Sequence, residues 1–100
     1  MRKGKDKNML EITKMLTLST AHISGDVAAA LTVEPERNEM GLSVYLLKGY
    51  GWLIYVPDYE TNNVPECLKK CLELAKTNEC EWLRLDCDGE LVDELEKFDW

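Results

Sequence analysis

The feature that most constrains this 100-residue sequence is a pair of strand-forming runs around a short glycine-containing turn. The runs cover residues 42–47 and 52–56, and both are rich in β-branched and aromatic side chains. Two glycines lie in the Lys-Gly-Tyr-Gly linker at 48–51, where the chain must reverse. The sequence therefore predicts a β-hairpin near the centre of the chain.

The elements on either side of this hairpin complete a β-α-β-β-α-β order. A short apolar segment at 14–18 predicts the first strand, and Ser24 is a good N-cap for a helix of about two turns. Pro65 suits the first position of a second helix, which we expect to run to about Asn78. Apolar side chains at helical spacing predict one buried stripe on this second helix. The stripe consists of Leu68, Cys71, Leu72 and Ala75.

The last third of the chain predicts one more strand and a return strand after it. Residues 82–87 alternate between apolar and polar side chains, as in a strand with one buried face. Residues 88–89, Asp-Gly, are the strongest two-residue hairpin signal, so we expect a short return strand at 90–92. We expect the rings of Phe98 and Trp100 to pack against the body of the protein, because exposed terminal aromatics are costly in water.

This order predicts an α+β two-layer sandwich of the ferredoxin-like, split β-α-β type with an extra C-terminal strand. Two helices would cover one face of an antiparallel sheet. The length suits one domain, so we expect a basic, flexible extension at 1–13 and a single α+β domain at 14–100. A short basic arm that contacts nucleic acid or an acidic partner is the alternative for the extension.

Negative charge is concentrated at the C-terminus. Twelve Lys and Arg oppose 19 Asp and Glu, which gives a formal net charge of −7. From Glu79 onward nine acids oppose two bases, so this part carries a net charge of −7 by itself. An acidic chain argues against a broad phosphate-binding surface, and we expect no direct nucleic-acid binding.

No apolar run approaches the roughly 20 residues that span a bilayer. Glu11 and Lys14 interrupt the apolar residues near the N-terminus, so the sequence contains no recognisable export signal. We therefore expect a cytoplasmic protein that does not bind a membrane.

The only histidine, His22, lies between the first predicted strand and the first predicted helix. A single histidine in such a turn commonly holds it by hydrogen bonds, which is the structural interpretation. The alternative is a small hydrolase-type enzyme, with Ser19 or Thr20 as nucleophile and His22 as base. This alternative requires His22 to be exposed in a pocket, with a hydroxyl or carboxylate within hydrogen-bond reach.

Five aromatic side chains, from Tyr45 to Tyr59, lie around the hairpin. Packing is the ordinary role for such residues, and a protein-binding patch is the alternative, because Tyr and Trp are favoured interface anchors. Base stacking has less support, since Lys48 is the only nearby cation. Together with C-terminal acids, the aromatics give a set of candidate partner-binding residues. The set is Tyr50, Trp52, Tyr55, Asp86, Asp88, Glu90, Asp93, Glu94 and Glu96.

Four cysteines, Cys67, Cys71, Cys80 and Cys87, lie in the last third of the chain. Without an export signal, disulfides are not expected, and the C-x2-C knuckle of most structural zinc sites is missing. Residues 86–90 do not match an EF-hand loop, so we expect a hairpin turn with solvated acids, with a divalent ion held by Asp86, Asp88 and Glu90 as the alternative. We expect small, buried thiols, no metal and no cofactor, with zinc binding or a redox role as alternatives.

Seven short blocks of sequence carry a resemblance to a known family. The blocks are residues 16–23 (Leu-Thr-Leu-Ser-Thr-Ala-His-Ile), 50–52 (Tyr-Gly-Trp), 55–57 (Tyr-Val-Pro), 71–75 (Cys-Leu-Glu-Leu-Ala), 80–83 (Cys-Glu-Trp-Leu), 88–89 (Asp-Gly) and 99–100 (Asp-Trp). Between Lys14 and Trp100 the chain resembles a family of small bacterial proteins of unknown function, which are often encoded on plasmids and other mobile elements. The resemblance implies a bacterial, cytoplasmic protein of a mobile element. It implies no activity and no functional residue.

We therefore predict a non-catalytic protein-interaction module of a mobile element that acts through its acidic C-terminal surface. Its partner would be another protein with a basic, nucleic-acid-binding surface, on which carboxylates stand in for phosphates. The alternatives are the hydrolase described above and a regulatory domain that binds a small ligand or assembles through its sheet edge. The sequence leaves the oligomeric state open.

Overall fold

The computed structural model describes residues 10–33, 40–59, 61 and 63–100, and within these ranges it contains four strands and two α-helices. The strands are β1 (Met15–Ser19), β2 (Val44–Leu47), β3 (Gly51–Tyr55) and β4 (Trp82–Asp86), and the helices are α1 (Gly25–Val33) and α2 (Glu66–Thr77). One turn of 3₁₀ helix, Thr20–His22, joins β1 to α1. The predicted α+β class and the β-α-β-β-α-β order are confirmed. Most of the predicted extension at 1–13 lies outside the described residues.

The four strands form one mixed sheet in the order β1-β4-β3-β2. β1 and β4 are parallel, whereas β4 with β3 and β3 with β2 are antiparallel. The prediction of an antiparallel sheet was wrong, and the ferredoxin-like strand order is not confirmed. In the ferredoxin-like arrangement β1 lies between β4 and β3. Here β4 lies between β1 and β3, and β1 lies at the edge of the sheet. Apolar patterning fixes which face of a strand is buried, not which strand it pairs with.

Both helices contribute to a single hydrophobic core against one face of the sheet. The buried stripe predicted for α2 is confirmed, and α1 contributes Val27, Ala28 and Leu31. The pairing register places the apolar strand residues side by side on this face. From the strands, the core receives Leu16, Leu18, Val44, Trp52, Ile54, Leu83 and Leu85.

The return strand predicted at 90–92 does not form. After β4 the chain passes the end of β1, where the main-chain N–H of Ser19 donates to the carbonyl of Glu90 at 2.9 Å. The reason is the position of β4, which already has β1 on one side and β3 on the other. A strand that follows β4 directly has no free edge of β4 to pair with. We call residues 87–100, which contain no helix or strand, the C-terminal segment.

Among the described residues, no helix has the length and apolar character needed to cross a membrane.

Candidate functional site

A buried histidine holds the C-terminal segment to the turn after β1. The side chain of His22 is 1% exposed. Its Nε2 accepts a hydrogen bond from the main-chain N–H of Val92 at 2.9 Å, and its Nδ1 lies 2.8 Å from the carbonyl oxygen of Glu96. Because Nε2 accepts, the proton of the neutral ring is on Nδ1, which donates to Glu96. One side chain therefore satisfies two main-chain groups of a segment that has no regular structure.

Further contacts fix the same segment beyond Glu96. The N–H of Phe98 donates to the carbonyl of Ala21 at 2.7 Å, and Nε1 of Trp100 donates to the carbonyl of Ile23 at 2.8 Å. Leu95 is buried in the core. Phe98 is half-buried as expected, whereas Trp100 is held by its indole N–H but remains 60% exposed. Val92, Leu95 and Phe98 therefore turn toward the protein, whereas Leu91 and most of the Trp100 ring remain exposed.

The carboxylates of the C-terminal segment face solvent. All six are exposed: Asp88, Glu90, Asp93, Glu94, Glu96 and Asp99. Asp86, which the sequence placed in the same candidate set, is different, because it is 8% exposed and pairs with Arg84 at 2.8 Å. Its Oδ1 also accepts from the N–H of Asp88 at 2.9 Å. Asp86 therefore stabilises the turn after β4 and is not available to a partner.

The geometry does not meet the condition set for a catalytic His22. Ser19 is buried, and its Oγ accepts from the N–H of Ala21 at 3.0 Å, as an ordinary cap of the 3₁₀ turn does. Thr20 is half-buried. Both nitrogens of His22 are bonded to main-chain groups, so neither is free to accept a proton from a hydroxyl. This arrangement supports the structural interpretation of His22.

The candidate aromatic residues lie in three different parts of the fold: the core, the hairpin turn and the sheet face opposite the helices. Trp52 is 7% exposed and lies in the core, so it does not reach a partner, and Tyr50 is exposed in the turn of the hairpin. Tyr55 lies on the sheet face opposite the helices, where its ring is 5.2 Å from that of Trp82 in an edge-to-face arrangement. Tyr45 joins them at 6.1 Å from Trp82. Sequence reasoning missed Trp82 as a member of this aromatic group. The alternation in β4 places its side chain on the face of the sheet away from the buried Leu83 and Leu85.

The cysteines are all free thiols, and their burial differs. Cys71 and Cys80 are buried as expected and Cys67 is half-buried, but Cys87 is exposed, contrary to the prediction. Burial, with a smaller contribution from neighbouring Cys67, raises the pKa of Cys71 to about 12. Ligand atoms of Asp86, Cys87 and Asp88 lie within 4.8 Å of one another. Arg84 already occupies the cationic position beside Asp86, so we assign no metal to this cluster.

Alkylation of the native protein is expected to modify Cys87 first and Cys71 last. The thiolate is the nucleophile, and at pH 8 a thiol with a pKa of about 12 is ionised in roughly one molecule in ten thousand. Peptide mass spectrometry after timed exposure to iodoacetamide measures the order. In guanidinium chloride we expect Cys87 and Cys71 to react at similar rates. Equal rates in the native protein would contradict the burial of Cys71.

A small groove lies between α2 and the segment that follows β3, with a volume of about 250 Å³. Val56, Pro57 and Leu72 form its apolar part, and Lys69 and Lys76 flank Glu73 on the helix side. The volume is slightly below the range of about 300–1,000 Å³ typical of ligand pockets, and the charges of the helix side are mixed. The groove therefore does not indicate which ligand a ligand-binding regulatory domain would take.

Comparison with known proteins places this chain in a family. Residues 15–100 match the family described as "Family of unknown function (DUF5983) C-terminal domain". The chain belongs to this family. The match covers nearly the same residues as the resemblance noted in the sequence and confirms a family of unknown function. The match does not show that this DUF5983 domain is bacterial or comes from a mobile element.

Among curated proteins, the DUF5983 chain is similar to the sodium/potassium-transporting ATPase subunit beta-1 of Drosophila melanogaster. The identity is 29% over 90 residues, which is 90% of this chain. The chain spans only 29% of the length of that relative, so the similarity does not transfer the activity of the longer protein. No solved structure matches the chain.

Proposed function

We propose that this DUF5983 domain is a non-catalytic interaction module that binds a basic surface of a partner protein through its C-terminal segment. One observation carries the proposal: the main chain of this segment is fixed to the His22 turn while all its carboxylates remain exposed. Leu95, the half-buried Phe98 and the indole N–H of Trp100 help to attach the segment, and its acidic side chains are left exposed.

A fixed acidic surface suits recognition of a basic partner. Ordering a flexible segment on binding costs conformational entropy, and a segment that is already held avoids much of this cost. Several carboxylates on one segment attract a positively charged partner and accelerate association. This electrostatic attraction weakens as the salt concentration rises. The same arrangement of negative charge can replace phosphates on a surface that binds nucleic acid.

The resemblance to plasmid-borne proteins favours a bacterial, cytoplasmic setting. There, the partner would be a nucleic-acid-binding protein of the host or of the mobile element. The enzymatic alternative has less support, because both nitrogens of His22 are engaged in holding the segment.

Neutralising the segment is expected to weaken partner binding by about tenfold or more, since each lost exposed pair contributes about 0.2–1 kcal/mol. The test variant combines Glu90→Gln, Asp93→Asn, Glu94→Gln and Glu96→Gln. A matched control neutralises the same number of exposed acids in and after α2, with Glu66→Gln, Glu73→Gln, Glu79→Gln and Glu81→Gln. Both variants have the same net charge, so only the position of the lost charge differs.

The measurement is capture of partners from extracts of the source cells on the wild-type protein and the two variants, at several salt concentrations. We expect a basic protein to bind the wild type and the α2 variant, to be lost from the segment variant, and to elute as salt rises. The proposal is wrong if no captured protein depends on the segment, or if the α2 variant loses the partner to the same extent.

A further inference from the structure

The strand β2 leaves main-chain hydrogen-bonding groups at the edge of the sheet. The N–H of Tyr55 donates to the carbonyl of Ser43 at 3.1 Å, and the β2–β3 register then directs the groups of Tyr45 and Leu47 toward β3 as well. The N–H and C=O groups of Val44 and Leu46 consequently point away from β3. Within the ranges that the structure describes, these outward groups have no partner strand.

The side chains of this edge are apolar and uncharged. Tyr45 is 54% exposed and Leu46 is 49% exposed. No charged residue occurs between positions 40 and 47, and β2 contains no proline. Edge strands in monomeric proteins are usually protected by charge, proline or a bulge. In a chain with a net charge of −7, this neutral edge is also where a second copy meets little electrostatic repulsion.

We propose that β2 pairs with β2 of a second copy of the chain, antiparallel, about a two-fold axis that passes beside Tyr45. In this register Val44 lies opposite the partner's Leu46, and Leu46 lies opposite the partner's Val44. Both pairs use the outward main-chain groups and form hydrogen bonds across the axis. In other registers about a two-fold axis, the outward main-chain groups of Val44 and those of Leu46 no longer pair with each other across the axis.

The register has a direct consequence for the sheet face opposite the helices. Tyr45 lies opposite the partner's Tyr45 in a non-hydrogen-bonded pair, in which Cα atoms are about 4.5 Å apart. The aromatic group formed by Tyr45, Tyr55 and Trp82 then continues across the axis. Aromatic cross-strand pairs stabilise sheets, so the pairing buries side chains as well as main-chain groups.

This dimer is independent of the proposed function, because it uses the opposite edge of the sheet. The C-terminal segment contacts β1, which is separated from β2 by β3 and β4. A dimer would carry two acidic segments and could engage a repetitive partner at two points. Either proposal can fail without the other.

Cross-linking tests the register directly. In a Cys87→Ser background, which removes the exposed thiol, Tyr45→Cys is expected to form a disulfide-linked dimer under mild oxidation. The matched control is Leu46→Cys, which is similarly exposed but lies diagonal to its copy, with Cα atoms about 7–8 Å apart. We expect at least about tenfold less covalent dimer from this control on a non-reducing gel. Equal cross-linking at the two positions would overturn the register.

Sedimentation equilibrium tests the dimer without a covalent bond. The wild-type protein should approach twice its mass of 11.5 kDa as concentration rises. Leu46→Lys is expected to raise the dimer dissociation constant about tenfold or more, because two copies of the lysine enter one interface. Leu91→Lys, at a comparably exposed site in the C-terminal segment, should leave it unchanged. A wild-type protein that stays monomeric over the whole accessible concentration range overturns the proposal.

Discussion

Replacement of His22 with alanine is expected to lower the free energy of unfolding by about 2–4 kcal/mol and to release the C-terminal segment. The substitution removes a buried ring and leaves the N–H of Val92 and the C=O of Glu96 without their partner. Typical domains are stable by only about 5–15 kcal/mol, so this is a large loss. Urea unfolding gives the free energy, and amide hydrogen exchange at residues 92–98 reports release of the segment.

Two further substitutions at His22 separate its hydrogen bonds. In His22→Asn the side-chain amide can donate to Glu96 but does not reach Val92, whereas in His22→Gln the side-chain oxygen can accept from Val92. Each is expected to recover part of the stability that alanine loses. If alanine costs less than about 0.5 kcal/mol, or if the segment exchanges no faster, His22 does not hold the segment.

The sequence predicted the elements because their signals are local. The stripe from Leu68 to Ala75 repeats within one helix, and the linker at 48–51 joins two neighbouring strands. The strand order depends on contacts between distant residues, such as Leu16 with Leu83, which no local pattern contains. The hairpin predicted at residues 88–89 failed for the same reason. Its local signal was strong, but β4 had no free edge.

The candidate site was predictable in part. The acids after residue 87 are exposed as expected, because a carboxylate is costly to bury unless it is paired. The burial of Asp86 could have been anticipated, since Arg84 is two residues earlier in the same strand and therefore on the same face. A structural role for His22 was one of the sequence interpretations. Its partners were not predictable, because Val92 and Glu96 lie 70 and 74 residues away in a segment without periodicity.

Replacement of Gly89 with alanine is expected to destabilise the protein by about 3 kcal/mol or more, although Gly89 lies outside every helix and strand. A Cβ at this position would overlap the carbonyl oxygen of Leu18 and lie 2.9 Å from the main-chain nitrogen of Ser19. Both atoms belong to β1, which its ladder with β4 holds in place. The C-terminal segment must therefore move away from β1, and the hydrogen bond from Ser19 to Glu90 is lost.

The neighbouring substitution Glu90→Ala is the control, because it shortens an exposed side chain and keeps the carbonyl that accepts from Ser19. We expect it to change the free energy of unfolding by less than about 0.5 kcal/mol. Equal stability of the two variants would contradict the close approach of Gly89 to β1. If the segment is one unit held at both Gly89 and His22, the double variant Gly89→Ala with His22→Ala should lose less than the sum of the single losses. Once the loss of one contact has released the segment, the remaining contact contributes little to the free energy of unfolding.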